Sequence, residues 1–177
     1  MSRIGKKIII LPEKTTATFG SGVFTIKGPK GDLIRRFNPE IDIVISGSEI
    51  TLTPKVKNLE TEALWGAYAS LIAGMVKGVN EPYTKKLILE GIGYKSEVKG
   101  NKLVMALGFS HAVNVEIPKS LKVTAEKNII VISGSSKEEV GAFAANIRAM
   151  KKPEPYKGKG FHYDGEIIKR KQGKKTA

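Results

Sequence analysis

Gly66-Ala67-Tyr68-Ala69, followed by Ile72 and Met75, returns 75 residues later as Gly141-Ala142-Phe143-Ala144, followed by Ile147 and Met150. Working outward, Ile41, Ile43, Ile50 and Leu52 return 80 residues later as Leu121, Val123, Ile130 and Ile132. Two stretches repeated in the same order, with a five-residue change in the loop between them, point to an internal duplication. Each copy reads as strand, polar turn, strand, then helix, with turns at Ser46-Gly47-Ser48 and Glu126-Lys127-Asn128. The join falls near Gly78-Val79-Asn80-Glu81-Pro82, a linker-like composition. Residues 1–81 and 82–177 are therefore expected to form two small domains.

The rest of each copy fits an α+β unit. Val23–Lys27 and Leu33–Phe37 flank the turn Gly28-Pro29-Lys30-Gly31, and Tyr94–Val98 and Leu103–Leu107 flank Gly100-Asn101. Helices are predicted from Asn58 to Val76 and from Lys137 to Met150. Leu64, Tyr68, Leu71, Ile72 and Met75 would stripe the first, and Val140, Phe143, Ala144, Ile147 and Met150 the second. Each domain should be a mainly antiparallel sheet packed by one helix.

Charge separates the copies. The 177 residues carry 30 Lys and Arg against 17 Asp and Glu, a net charge of +13. Residues 1–7 and 151–177 supply +9 of it, including Lys174 and Lys175, on Gly- and Pro-rich termini. Residues 1–80 net +4 and residues 81–177 net +9. In the second helix Asn146, Arg148 and Lys151 stand where the first has Leu71, Ala73 and Val76. Segregated positive charge favours a polyanion partner, and the second copy is read as the main binding unit, with the first as support. No apolar run approaches the ~20 residues of a membrane-spanning helix, and Ile8-Ile9-Ile10-Leu11 is too short for a signal-peptide core. With zero Cys, disulfides and thiolate metal sites are excluded. The expectation is a cytoplasmic protein with no membrane partner.

Catalytic readings find little support. His111 and His162 share no ligand-like spacing with carboxylates, and Ser110-His111 are sequence neighbours rather than a nucleophile–base pair. Gly91-Ile92-Gly93 lacks a third glycine at 96 and a following helix, so it is no dinucleotide fingerprint. Asp164 and Glu166 read as counter-charges within a basic tail. No enzyme activity, small-molecule substrate, cofactor or metal is expected.

The most informative motif is Pro153-Glu154-Pro155-Tyr156-Lys157-Gly158-Lys159-Gly160-Phe161-His162-Tyr163. The prolines stop the helix after Met150, and the lysines alternate with glycines that permit close backbone approach. Tyr156, Phe161 and Tyr163 would offer faces for stacking, a mixture suited to irregular RNA. The mutually repelling lysines predict that Tyr156–Tyr163 is loose without RNA and orders on it.

Pro153–Phe161 resembles the signature of the large-subunit ribosomal protein L-six family, the universal uL-six family, of bacterial type. The resemblance spans the chain. It includes the opening Met1-Ser2-Arg3-Ile4-Gly5-Lys6-Lys7, Gly74-Met75-Val76-Lys77-Gly78-Val79, Leu89-Glu90-Gly91-Ile92-Gly93-Tyr94-Lys95 and Leu107-Gly108-Phe109-Ser110-His111. It implies two duplicated α+β domains and a non-catalytic protein of the large ribosomal subunit. Such a protein binds large-subunit rRNA near the sarcin–ricin loop, beside neighbouring ribosomal proteins and the landing site of translation factors. The family usually has Pro at Ala112, Arg at Ala69, and an aliphatic residue and Arg at Phe161 and His162. An organellar origin stays open. The other reading is a free RNA- or DNA-binding regulator, against which stands the want of a helix-turn-helix or zinc-finger spacing.

Lys151, Lys152, Lys157, Lys159, Lys169, Arg170 and Lys171 are the expected phosphate contacts, and Tyr156 and His162 the expected sugar or base contacts. Gly91 and Gly93 would form a close-approach loop beside Tyr94 and Lys95. Ser110 and His111, and Arg3, Lys6 and Lys7 in the opening, complete the candidate rRNA-binding set.

Overall fold

The computed structural model describes residues 3–173; Met1, Ser2 and residues 174–177, with Lys174 and Lys175 of the C-terminal charge, lie outside the described residues. Two units are compact on their own: Met1–Pro82 with Ser135–Lys137, and Tyr83–Gly134 with Glu138–Ala177.

The first unit runs β1 (Ile9–Ile10), β2 (Thr16–Gly20), β3 (Val23–Gly28), β4 (Gly31–Arg36), β5 (Ile41–Ser46), β6 (Glu49–Pro54) and α1 (Leu59–Asn80). Its strands form two antiparallel sheets, β1-β6-β5 and β2-β3-β4, sharing one core. Alternation explains the strands: Ile41 and Ile43 of β5, and Ile50 and Leu52 of β6, are buried while their neighbours face outward. Gly47, at φ 59°, closes the turn between them.

Helix α1 opens with a reciprocal cap in which the Asn58 side chain accepts from the Thr61 N–H and the Thr61 hydroxyl accepts from the Asn58 N–H. It runs one turn beyond the predicted end at Val76, so Gly78–Asn80 of the expected linker is helical. Val79 is fully buried, and Asn80 bonds both Val76 O and the Thr15 hydroxyl, which outweighs the poor helix propensity of Gly78. The buried stripe is Trp65, Ala69, Ile72, Met75, Val76 and Val79, while Leu64, Tyr68 and Leu71 are only half-buried at its edge. Trp65 donates its indole N–H to Leu52 O at 2.8 Å.

The second unit repeats the plan with β7 (Tyr83–Glu90), β8 (Lys95–Lys99), β9 (Lys102–Ala106), β10 (Val113–Glu116), β11 (Leu121–Glu126), β12 (Ile129–Gly134), α2 (Lys137–Met150) and β13 (Gly160–Tyr163). β11 repeats β5 with the same order of buried and exposed residues. The sheets are β11-β12-β7-β13 and β10-β9-β8, all antiparallel. Val140, Phe143, Ala144 and Ile147 of α2 enter a core with Leu87, Leu89, Leu103, Met105, Leu107, Ile130, Ile132 and Phe161. The α+β fold of two duplicated sheet-and-helix units is as the repeat predicts, with the strands of each unit divided between two sheets.

β13 has no counterpart in the sequence reading. Gly160–Tyr163 lies antiparallel to β7, with Phe161 opposite Leu89 and His162 opposite Ile88. The expectation of a loose Tyr156–Tyr163 segment is corrected here, because ladder bonds and burial of Phe161 hold its second half to the sheet.

Candidate nucleic-acid interface

The end of α2 sets the first part of the surface. Past Met150, the Phe161 N–H donates to Lys151 O at 2.8 Å, and a closed turn follows. Within it the Glu154 N–H donates to Lys159 O and the Gly158 N–H donates to Glu154 O, each at 2.9 Å. Gly160 is required at φ 137°, where a Cβ would stand 2.6 Å from Lys152 O. The turn presents Tyr156, 55% exposed, together with exposed Lys152 and Lys157 and half-exposed Lys159.

The C-terminal segment lies against the same turn. The Lys171 N–H donates to Pro155 O at 2.7 Å, and a Cβ on Gly158 would sit 3.1 Å from the Arg170 guanidinium. Lys169, Arg170 and Lys171 are all exposed, so six expected cations, with Lys152, Lys157 and Lys159, gather around one turn.

A second part forms where two loops meet Lys151. The Tyr94 ring fits where Gly91 has no side chain, since a Cβ there would lie 2.2 Å from the ring. Lys151 Nζ stands 5.9 Å from the Tyr94 ring centre and 5.1 Å from that of Phe109, within cation–π range. Phe109 stacks on His111 with centroids 6.5 Å apart and planes 23° apart. The structure thus brings Gly91, Tyr94, His111 and Lys151 together, with exposed Gly93, Lys95 and Ser110 on the same loops. Arg3, Lys6 and Lys7 are exposed in the first unit, around Gly5, which packs on the Trp65 ring.

Two expectations change. His162 is 9% exposed, so its ring does not offer the predicted face to a sugar or base; Nε2 faces Glu90 at 4.0 Å, and Nδ1 has no hydrogen-bond partner among the described residues. Phe161 is fully buried and is a core residue. Ala69, at 1% exposure, is likewise a core residue.

Arg148 is not a free cation. Its Nη2 lies 2.5 Å from Glu166 Oε1 and its Nε 3.2 Å from Oε2, which also accepts the Tyr163 N–H at 2.9 Å. Hydrogen bonds from Arg148, then from the Tyr163 backbone, hold the Glu166 carboxyl below its usual range and raise Arg148 in turn. Because the folded carboxyl is shifted down, its contribution to stability is present above the unfolded value and is lost as pH falls through the folded one. Glu166→Gln should therefore cost about 1 kcal/mol at neutral pH, the pair being partly exposed. In urea melts across pH, the gap from the parent chain should close as the carboxyl range is crossed from above; a pH-independent gap would assign the cost to packing.

Sequence reading missed Phe109 and Ile92, which are 47% and 88% exposed. The signal was available: Leu103, Met105 and Leu107 alternate inward, β9 ends at Ala106, and Gly108 at φ 78° turns the chain before an aromatic the core does not use. Among the described residues no group of three His, Asp or Glu side chains could hold a metal, and no helix is long and apolar enough to cross a membrane.

Fold and surface together define a class: a duplicated α+β chain whose second unit carries a basic face set with aromatic rings. The sequence profile of the Ribosomal protein L6 family matches residues 11–81 and 90–164, one stretch in each copy, and the chain belongs to that family. It is 47% identical over 175 residues to the large ribosomal subunit protein uL6 of Listeria welshimeri, covering 98% of both chains. The proteins of the same name from Shouchella clausii and Exiguobacterium sibiricum are 45% and 43% identical over the same span and coverage.

Proposed function

We propose that this chain is a structural constituent of the large ribosomal subunit that binds large-subunit rRNA by charge neutralisation and shape. Family membership over nearly the whole chain carries this reading. The cations around the 153–159 turn support an RNA contact made mainly by the second unit, with the first as support. The role is architectural rather than catalytic, and it is exercised in the cytoplasm on the ribosome beside neighbouring ribosomal proteins. The signature-like segment Pro153–Phe161 favours a seat near the sarcin–ricin loop and the translation-factor site.

Sucrose-gradient sedimentation of lysate from bacteria expressing the tagged full-length chain tests the proposal. The chain is expected in the large-subunit and assembled-ribosome fractions, and in the large-subunit fractions after dissociation at low magnesium. Recovery only at the top of the gradient, with free RNA or DNA, would favour a regulator acting outside the particle.

A further inference from the structure

We infer that Phe109 and His111 form a stacking platform for one unpaired nucleobase, with Lys151 placed for the phosphate of the same nucleotide; this rests on the RNA-binding reading above. The stacking partners expected from sequence are largely withdrawn into the protein: Phe161 and His162 are buried and Tyr163 is half-buried. Besides Tyr156 on the 153–159 turn, the surface keeps a pair of near-parallel rings, 23° apart, on the loop that follows the buried Leu107. Both side chains are exposed, so the pair can accept a third planar group beside Lys151.

The surroundings favour a nucleotide over an apolar partner. Lys151 Nζ lies 5.1 Å from the Phe109 ring centre, so an anionic group joined to a stacked base by a sugar can reach it. Exposed Lys95 lies one residue from Tyr94, whose ring also faces Lys151. Ile92, 88% exposed at the tip of the Gly91–Gly93 loop, adds an apolar edge suited to a sugar or base. A base within a duplex has both faces covered by its neighbours, so the ligand is an unpaired or extruded nucleotide of a loop or bulge.

The test uses the full-length chain, its Phe109→Ala, Phe109→Trp and His111→Ala variants, and a large-subunit rRNA transcript. Filter binding over a salt series is combined with dimethyl sulfate probing of adenines and cytosines. Phe109→Ala should weaken binding about tenfold without changing the salt slope, since stacking releases no counterions. Phe109→Trp should restore affinity, and His111→Ala should fall between. At least one unpaired base should be shielded by the parent chain and by Phe109→Trp but not by Phe109→Ala. Parent-like affinity and an unchanged footprint in Phe109→Ala would overturn the platform and leave RNA binding intact. Failure of the parent chain itself to bind would overturn both. Unchanged RNA affinity with loss of a neighbouring protein from particles carrying Phe109→Ala would make the patch a protein-docking face instead, and would equally overturn it.

Discussion

Raising the salt from 50 to 200 mM is expected to weaken the full-length chain's hold on large-subunit rRNA by about 10³–10⁵-fold, the range for ~6–10 neutralised phosphates. The cations that would act are Lys95, Lys151, Lys152, Lys157, Lys159, Lys169, Arg170 and Lys171 of the second unit, each exposed or half-exposed. Arg148 is left out because Glu166 already neutralises it. Replacing Lys157 and Lys159 together by Ala should lower the salt slope by about two, if each meets one phosphate. The turn itself should survive, since Lys159 serves it through its backbone carbonyl, which accepts the Glu154 N–H. Filter-binding titrations measure this, and a flat salt response would refute the electrostatic account. An unchanged slope in the double variant would mean that both lysines face solvent.

The repeat made most of the fold legible because it compares the chain with itself and needs no tertiary knowledge. Ile41–Ser46 and Leu121–Glu126 show their alternation in sequence, and α2 ends where predicted because Pro153 follows its apolar stripe. Signals ran out where a residue's fate depends on a distant neighbour. Gly-Phe-His-Tyr at 160–163 has no readable period, and only the free edge of β7 makes it a strand. Gly78 reads as a stop, yet burial of Val79 carries α1 past it. For the candidate interface, cation identities were legible, but not the pairing of Arg148 with Glu166, eighteen residues away. The convergence of Tyr94, Phe109 and Lys151 comes from three separate elements, and no local spacing encodes it.

Phe161→Ala is expected to remove about 3–5 kcal/mol of stability, the cost of emptying a fully buried aromatic site. Against the 5–15 kcal/mol typical of a whole domain, that is a large share of the margin. The loss is concentrated because β13 is four residues long and stands at the sheet edge, paired among the described residues only to β7. Phe161 is its deepest anchor, opposite Leu89, and its own N–H ties the strand to Lys151 O. Phe161→Leu keeps the site apolar and should cost clearly less. Urea melts should show a lower midpoint for Phe161→Ala with an unchanged slope, as for a change confined to stability. A cost below about 1 kcal/mol would mean that the strand is not docked as described. Binding should follow, because the turn bearing Lys157 and Lys159 is closed from behind by this strand. RNA affinity of Phe161→Ala should therefore fall with the folded fraction as temperature rises. At low temperature, where the unit is still folded, its salt slope should match that of the parent chain, since no cation has been removed.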